Sequence, residues 1–143
     1  MELTAHYEPS HVYLNPLDEG YFSCNDQGKI VLKDNSTLSG KIVVPITVNG
    51  MVVTGLATGC FQNGFRGRET ENITHVFFEP KEVIADDNGK IISYKENDNI
   101  VSLDGNCFYG MNKCKMIELP YNISQASETG SSSLNGLGSY ITC

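Results

Sequence analysis

The chain has no tryptophan and little positive charge. Ten Lys and Arg stand against 17 Asp and Glu, for a net charge of −7 and a pI near 4.8. Binding along a nucleic-acid backbone needs clustered cations. Only Arg66 and Arg68 lie close together here, so nucleic acid is not an expected partner. The acidity reads as a solvated surface. No apolar run approaches the roughly 20 residues of a membrane span. The opening Met1-Glu2-Leu3-Thr4-Ala5-His6 has neither a basic start nor an apolar core, so a secretory leader is not expected. No window places apolar residues at i, i+3, i+4 and i+7 over three turns, which argues against long amphipathic helices.

Catalytic and metal-binding patterns are equally sparse. His6, His11 and His75 share no local pattern with Ser or Asp, and nothing in the sequence positions Cys107 and His75 as a nucleophile pair. Five cysteines are an odd number, and without an export signal a disulfide framework is not expected. Cys107 and Cys114 lack a neighbouring Cys or His at zinc spacing. Cys143 is either a free thiol or an intermolecular link. Asp86-Asp87-Asn88-Gly89 and Asn97-Asp98-Asn99 share the composition of calcium loops but lack the alternate ligands and the late Glu, so they read as turns. The sequons at Asn35, Asn72 and Asn122 read as chance occurrences. No P-loop, dinucleotide glycine pattern or Gly-x-Ser-x-Gly elbow occurs. The expectation is a protein that is not an enzyme and carries no cofactor or metal.

What is present is repetition. Val53-Thr54-Gly55-Leu56-Ala57-Thr58-Gly59-Cys60-Phe61 recurs, without a gap, as Ile100-Val101-Ser102-Leu103-Asp104-Gly105-Asn106-Cys107-Phe108. A second mark, Pro-x-x-(Val/Ile), begins at Pro45, Pro80 and Pro120, 35 and 40 residues apart. Periods of about 20 to 50 residues indicate stacked units that cover one another's apolar faces. At 143 residues the chain is one domain with an arm. Val and Ile dominate its apolar runs, and Gly, at 14 residues, is plentiful, which favours strands.

Residues 1–20 read as an extended arm broken by Pro9 and Pro16. Tyr7, Tyr13 and Leu14 are its candidate contact residues. Residues 21–123 read as the strand-rich body. A hairpin, Tyr21–Cys24 and Lys29–Leu32, comes first. The run Lys41–Val44 stops at Pro45, and Asn49-Gly50 is a tight turn. Residues 62–72 read as a loop or short helix, and Thr74–Phe78 as a strand. The distance from Pro80 to Leu103 exceeds that from Pro45 to Leu56 by about one hairpin, Val83–Ala85 with Lys90–Tyr94. Lys115–Leu119 reads as a strand. Residues 124–143 form a Ser/Gly-rich segment in which Leu137–Cys143, with Tyr140 and Ile141, reads as a last strand and second contact surface.

The string aliphatic-x-x-Leu-x-x-x-(small)-Phe, then a loop, a strand and Pro-x-x-(Val/Ile), resembles the BspA-like leucine-rich repeat. The fullest copy is 100–120, with Cys107 before Phe108, Cys114 after it, and Ile117, Leu119 and Pro120 closing the strand. Gly40–Phe61 resembles the opening half-repeat, and the likeness covers roughly residues 40–123. The resemblance implies a mainly β, short leucine-rich-repeat solenoid with repeats at about 40–80 and 80–123, an inserted hairpin and an extended N-terminal arm. It places Leu56, Cys60, Phe61, Leu103, Cys107, Phe108, Ile117 and Leu119 in the core. Members of the family are adhesion and protein-binding modules of cell surfaces, and related repeats occur in phage virion proteins. The expected function is non-enzymatic: a virion-associated structural, decoration or attachment protein assembled in the host cytoplasm, or alternatively a cell-surface or secreted adhesion module. Its expected partners are other protein chains, itself or a larger assembly, and a host-surface ligand.

Overall fold

The computed structural model describes residues 14–119 and the backbone of residues 125–126. It is mainly β, with 3-10 turns at Glu19–Tyr21 and Phe65–Gly67. The strands in chain order are β1 (Phe22–Cys24), β2 (Lys29–Leu32), β3 (Thr37–Val44), β4 (Thr47–Val48), β5 (Met51–Val52), β6 (Gly55–Leu56), β7 (Glu69–Phe78), β8 (Glu82–Ala85), β9 (Ile91–Lys95), β10 (Ser102–Leu103), β11 (Met116–Ile117) and β12 (Gln125–Ala126). They form where the Val- and Ile-rich runs lie. Pro45 directly follows β3, and Pro80 follows β7 by one residue, because proline cannot donate to a ladder.

Two parallel ladders organise the chain. One runs β2, β6, β10, β12, with β1 paired antiparallel on β2 as its outer strand. The other runs β3, β7, β11. Each turn of the chain thus contributes one strand to each ladder. The registers match the sequence repeat. Gly55 pairs with Ser102 and Leu56 with Leu103, the same partners that the nine-residue repeat aligns. Ile30 occupies the Leu56 position one rung earlier, so the ladder begins at Lys29, ahead of Gly40. In the second ladder Ile42, Val76 and Ile117 lie side by side.

The core fills the space between the ladders. Ile30, Leu56 and Leu103 meet Ile42, Val76 and Ile117 together with Phe22, Phe61 and Phe108, all essentially inaccessible to water. Each such side chain contributes about 1.5–3 kcal/mol by leaving water. Phe61 and Phe108 stack at 6.2 Å and 4°, and Phe22 meets Phe61 edge-on at 5.9 Å, both favourable aromatic geometries.

Two hairpins stand outside the ladders. β4 and β5 are joined by Asn49 (φ 53°) and Gly50 (φ 80°), the positive-φ pair that a two-residue hairpin turn requires. β8 and β9 form a sheet of their own around Asp86–Gly89. There the Asp86 carboxylate accepts the N–H groups of Asn88 and Lys90, both at 2.9 Å.

Some boundaries differ from those read in the sequence. The second ladder extends into the polar stretch before Thr74: β7 starts at Glu69 and pairs with β3 from Thr37. Polar residues suit this stretch because, of its first four side chains, Thr70 alone is buried, and backbone pairing is indifferent to the rest. Asn63 Oδ1 supports the start of β7 by accepting Thr70 N (2.9 Å) and Glu71 N (3.2 Å). β11 is only two residues long. The segment assigned to the arm is tied to the body from Leu17 onward: Leu17 N donates to Val43 O at 2.9 Å, and its half-buried side chain packs on the core. Tyr7, Tyr13, Tyr140, Ile141, Cys143 and Pro120 lie outside the described residues.

Candidate functional site

The interior repeats one arrangement on successive rungs. Gly59 N donates to Gly105 O (2.9 Å), Phe61 N to Cys107 O (2.7 Å) and Asn63 N to Tyr109 O (2.9 Å). The strict offset of these bonds holds Cys60 and Cys107 in matching slots, both with no exposed surface. Cys24, Cys60, Cys107 and Cys114 are thiols, not disulfide partners. Burial pushes the Cys60 thiol up to about 12, against smaller opposing effects of a backbone hydrogen bond at Leu32 and of Arg68. Burial raises Cys107 well above the ordinary thiol range, with Cys60 and Asp104 adding to it. A thiol held protonated is a packing group, not a nucleophile. Cys114 is raised by burial as well, and its Sγ lies 3.5 Å from Met116 O.

His75 belongs to the second ladder. It sits on β7 between Lys41 of β3 and Met116 of β11. Its Nδ1 is 2.9 Å from Thr74 Oγ1, and its ring stacks on Phe77 at 6.0 Å. Partial burial, then Lys41 and Lys115, hold its pKa below the usual histidine value. Among the described residues no three His, Cys, Asp or Glu side chains group as metal ligands, and no helix is long and apolar enough to cross a membrane.

Of the expected core residues, Leu56, Cys60, Phe61, Leu103, Cys107, Phe108 and Ile117 are buried. Leu119 is half-buried and packs against the same cluster. Leu14 is also half-buried.

Sequence reasoning missed Arg68. It is 3% exposed, and its planar guanidinium spans two rungs. Nε donates to Leu32 O at 2.8 Å, Nη1 donates to Gly59 O at 2.9 Å, and Nη2 lies 3.7 Å from Asp34 Oδ1. The available signal was weak: one of two neighbouring arginines, beside glycines in a polar stretch. On the surface above it, Phe65 is 44% exposed and lies 5.4 Å from the Arg66 guanidinium and 5.5 Å from that of Arg68. Arg66 adopts φ 53°, between Gly64 and Gly67, also at positive φ.

The other outward features are the β8–β9 hairpin and an open cleft of about 390 Å³ lined by Pro16, Asp18, Glu19, Pro45 and Glu79. The carboxylates in that cleft brace the backbone. Asp18 accepts Gly20 N (2.7 Å), Glu19 accepts Asn49 N (2.8 Å) and Glu79 accepts Ile46 N (2.8 Å). The hairpin presents Val83 and Ile84 on β8 and Ile92 on β9 to water. It is anchored at its base by Lys81–Asp98 (3.0 Å) and along its length by Lys95–Glu82 (3.5 Å).

No family model matches the chain, and no curated protein matches it. A solved structure it resembles is that of a leucine-rich repeat protein from T. pallidum, 14% identical, covering 76% of this chain and 52% of that one, with a TM-score of 0.35. The chain spans about half the length of that protein.

Proposed function

We propose that this chain is a short leucine-rich-repeat solenoid of the BspA-like type and works as a non-enzymatic binding protein, a structural or attachment component of a bacteriophage virion. The observation that carries the reading is the coincidence of sequence repeat and ladder register, Gly55 with Ser102 and Leu56 with Leu103. A chain built of stacked rungs presents surfaces for other proteins. Its buried thiols are held protonated, which supports a packing role over nucleophilic chemistry. The virion setting rests on the resemblance of the repeat to those of phage particles.

The test is particle composition. Gradient-purified phage particles from the source should carry the chain at a fixed copy number by quantitative mass spectrometry. Its recovery on washed cell surfaces, and not in particles, would replace the virion reading with that of an adhesion module. Turnover of a small-molecule substrate by the purified chain would remove the binding-protein reading altogether.

A further inference from the structure

The second ladder contains an extra residue. Gly40 of β3 stands opposite Ile73 of β7, and Lys41 opposite His75, so Thr74 bulges the strand. Side chains alternate along a regular strand, so a step of two from buried Ile73 would send His75 into the core. The extra residue gives that inward place to Val76 and turns His75, half-buried, to the outer face. Bulges commonly re-aim side chains in this way next to functional sites. Across from the bulge, a Cβ on Gly40 would meet nothing within 4 Å, so the face is open there.

Cations gather around the re-aimed ring. Lys41 lies beside it on β3. Lys115, one residue before β11, donates its N–H to the carbonyl of Thr74 at 2.7 Å. Neighbouring strands are about 4.8 Å apart, so both lysines start within a screening length of the ring. Lys29, Lys81 and Lys95 are ion-paired, and Lys113 donates to Asn72 Oδ1. The ammonium groups of Lys41 and Lys115 have no such partner among the described residues. The ring is held in place: Nδ1 is bonded to Thr74 Oγ1 at 2.9 Å, and the plane stacks on Phe77 at 15°. Nε2 has no partner among the described residues. The remaining charged groups on these strands and their flanks are Glu69, Glu71, Glu79, Lys113 and Glu118. None of them offsets the two lysines, which add to burial in lowering the His75 pKa.

We infer that the Thr74 bulge is a binding site for a tetrahedral oxyanion of the phosphate or sulfate class, held between Lys41 and Lys115 and hydrogen-bonded by His75 Nε2–H. A protonated imidazole donates from both nitrogens. With Nδ1–H given to Thr74 Oγ1, Nε2–H faces the anion, and the Thr74 hydroxyl proton serves a second oxygen. Binding and protonation are therefore linked. The two lysines disfavour the charged ring and the anion favours it, so the His75 pKa rises on binding. Affinity is greatest below the free ring's pKa and is lost progressively as pH rises to the bound ring's pKa. None of this rests on the virion reading, which can fail while the site stands.

The experiment follows the ring protons of His6, His11 and His75 in the full native chain by nuclear magnetic resonance between about pH 5 and 8. Sulfate is the probe, because its charge is constant over that range, with chloride at equal ionic strength as the reference. His75 should titrate below the ordinary histidine value in chloride and about half a unit or more higher in saturating sulfate, with His6 and His11 moving much less. In Lys41→Met and in Lys115→Met the chloride value should rise, because a repelling charge is gone, while sulfate affinity falls about threefold. These opposite movements separate an anion site from a general effect of salt. Methyl phosphate identifies what carries the anion. A shift like that of sulfate assigns the site to a phosphate group borne by another molecule, and a shift with inorganic sulfate and phosphate alone assigns it to the free ion. The inference is overturned if His75 titrates alike in sulfate and chloride, if all three histidines shift together, or if sulfate affinity is unchanged in the chain lacking both lysines.

Discussion

Replacing Arg68 with Met tests whether the guanidinium bracket holds the first two rungs together. Met keeps the length and the apolar stem and removes the donors. Leu32 is one of the β2 residues that face away from β1: Lys33 N pairs with Tyr21 O and Leu32 N with Cys60 O. The Leu32 carbonyl therefore points toward the next rung, where Arg68 Nε reaches it at 2.8 Å. The Gly59 carbonyl also accepts Gln62 N at 3.1 Å, so it keeps a partner when Nη1 is lost. A charge-assisted bond to a buried carbonyl is worth about 1.5–3 kcal/mol, and a shared one about 1 kcal/mol. The Asp34 contact adds little, since that side chain is 54% exposed. The expected loss is about 3 kcal/mol, a large share of the roughly 5–15 kcal/mol by which domains are stable. Arg68→Lys should recover less than half, because a single ammonium cannot span both carbonyls. Urea unfolding followed by circular dichroism should show the midpoint falling at constant slope. A Met variant within about 0.5 kcal/mol of the native chain would refute the bracket.

Cys60→Ala should cost about 1 kcal/mol and Cys60→Asp several, with Cys107 behaving alike; rapid thiol labelling of both in the native state would contradict their interior placement. Because the folded Cys60 pKa stands near 12 and the ordinary value is 9.0, the unfolded chain loses that proton first. The Cys60 contribution to stability should be constant below pH 9 and fall by up to about 1.4 kcal/mol per unit between 9 and 12, a part of the slope that Cys60→Ala should remove in pH-dependent melts. Gly55→Ala should destabilise by about 1–3 kcal/mol, because a Cβ there would meet Ser102 Oγ and, at 2.8 Å, the Ser102 carbonyl on the next rung; an unshifted melting temperature would show that the rungs can spread. Replacing residues 86–89 with another tight turn should change stability by less than about 0.5 kcal/mol in the same melts, and an unfolded product would make the hairpin part of the core.

The repeat was legible because an in-register parallel ladder forces like residues into like slots. Leu56 and Leu103, Cys60 and Cys107, and Phe61 and Phe108 meet the same surroundings and so keep the same chemistry. The first rung was harder to read. Its Ile30 matches Leu56, but at the positions one rung before Cys60 and Phe61 stand Asp34 and Asn35, and Phe22 of the outer strand β1 meets Phe61 in their place. The start of β7 was illegible for a different reason: its early pairing is carried by backbone groups and by Asn63, which leave no apolar pattern. Arg68 was illegible because a buried arginine is specified by carbonyls brought together from distant residues, Leu32 and Gly59. The inserted hairpin could be found from the excess length alone.

The chain leaves the body at Lys81 and returns at Asp98, and those two side chains touch at 3.0 Å. An excursion whose ends are already adjacent adds little closure entropy, about 0.6 kcal/mol for each doubling of its length. The ladders on either side take their register from direct rung-to-rung bonds such as Val101 N to Thr54 O, which do not measure what lies between. This makes the junction a natural splice point. Foreign sequence of widely varying size, inserted in place of the hairpin tip, should be displayed from a fixed base while the rungs assemble as before.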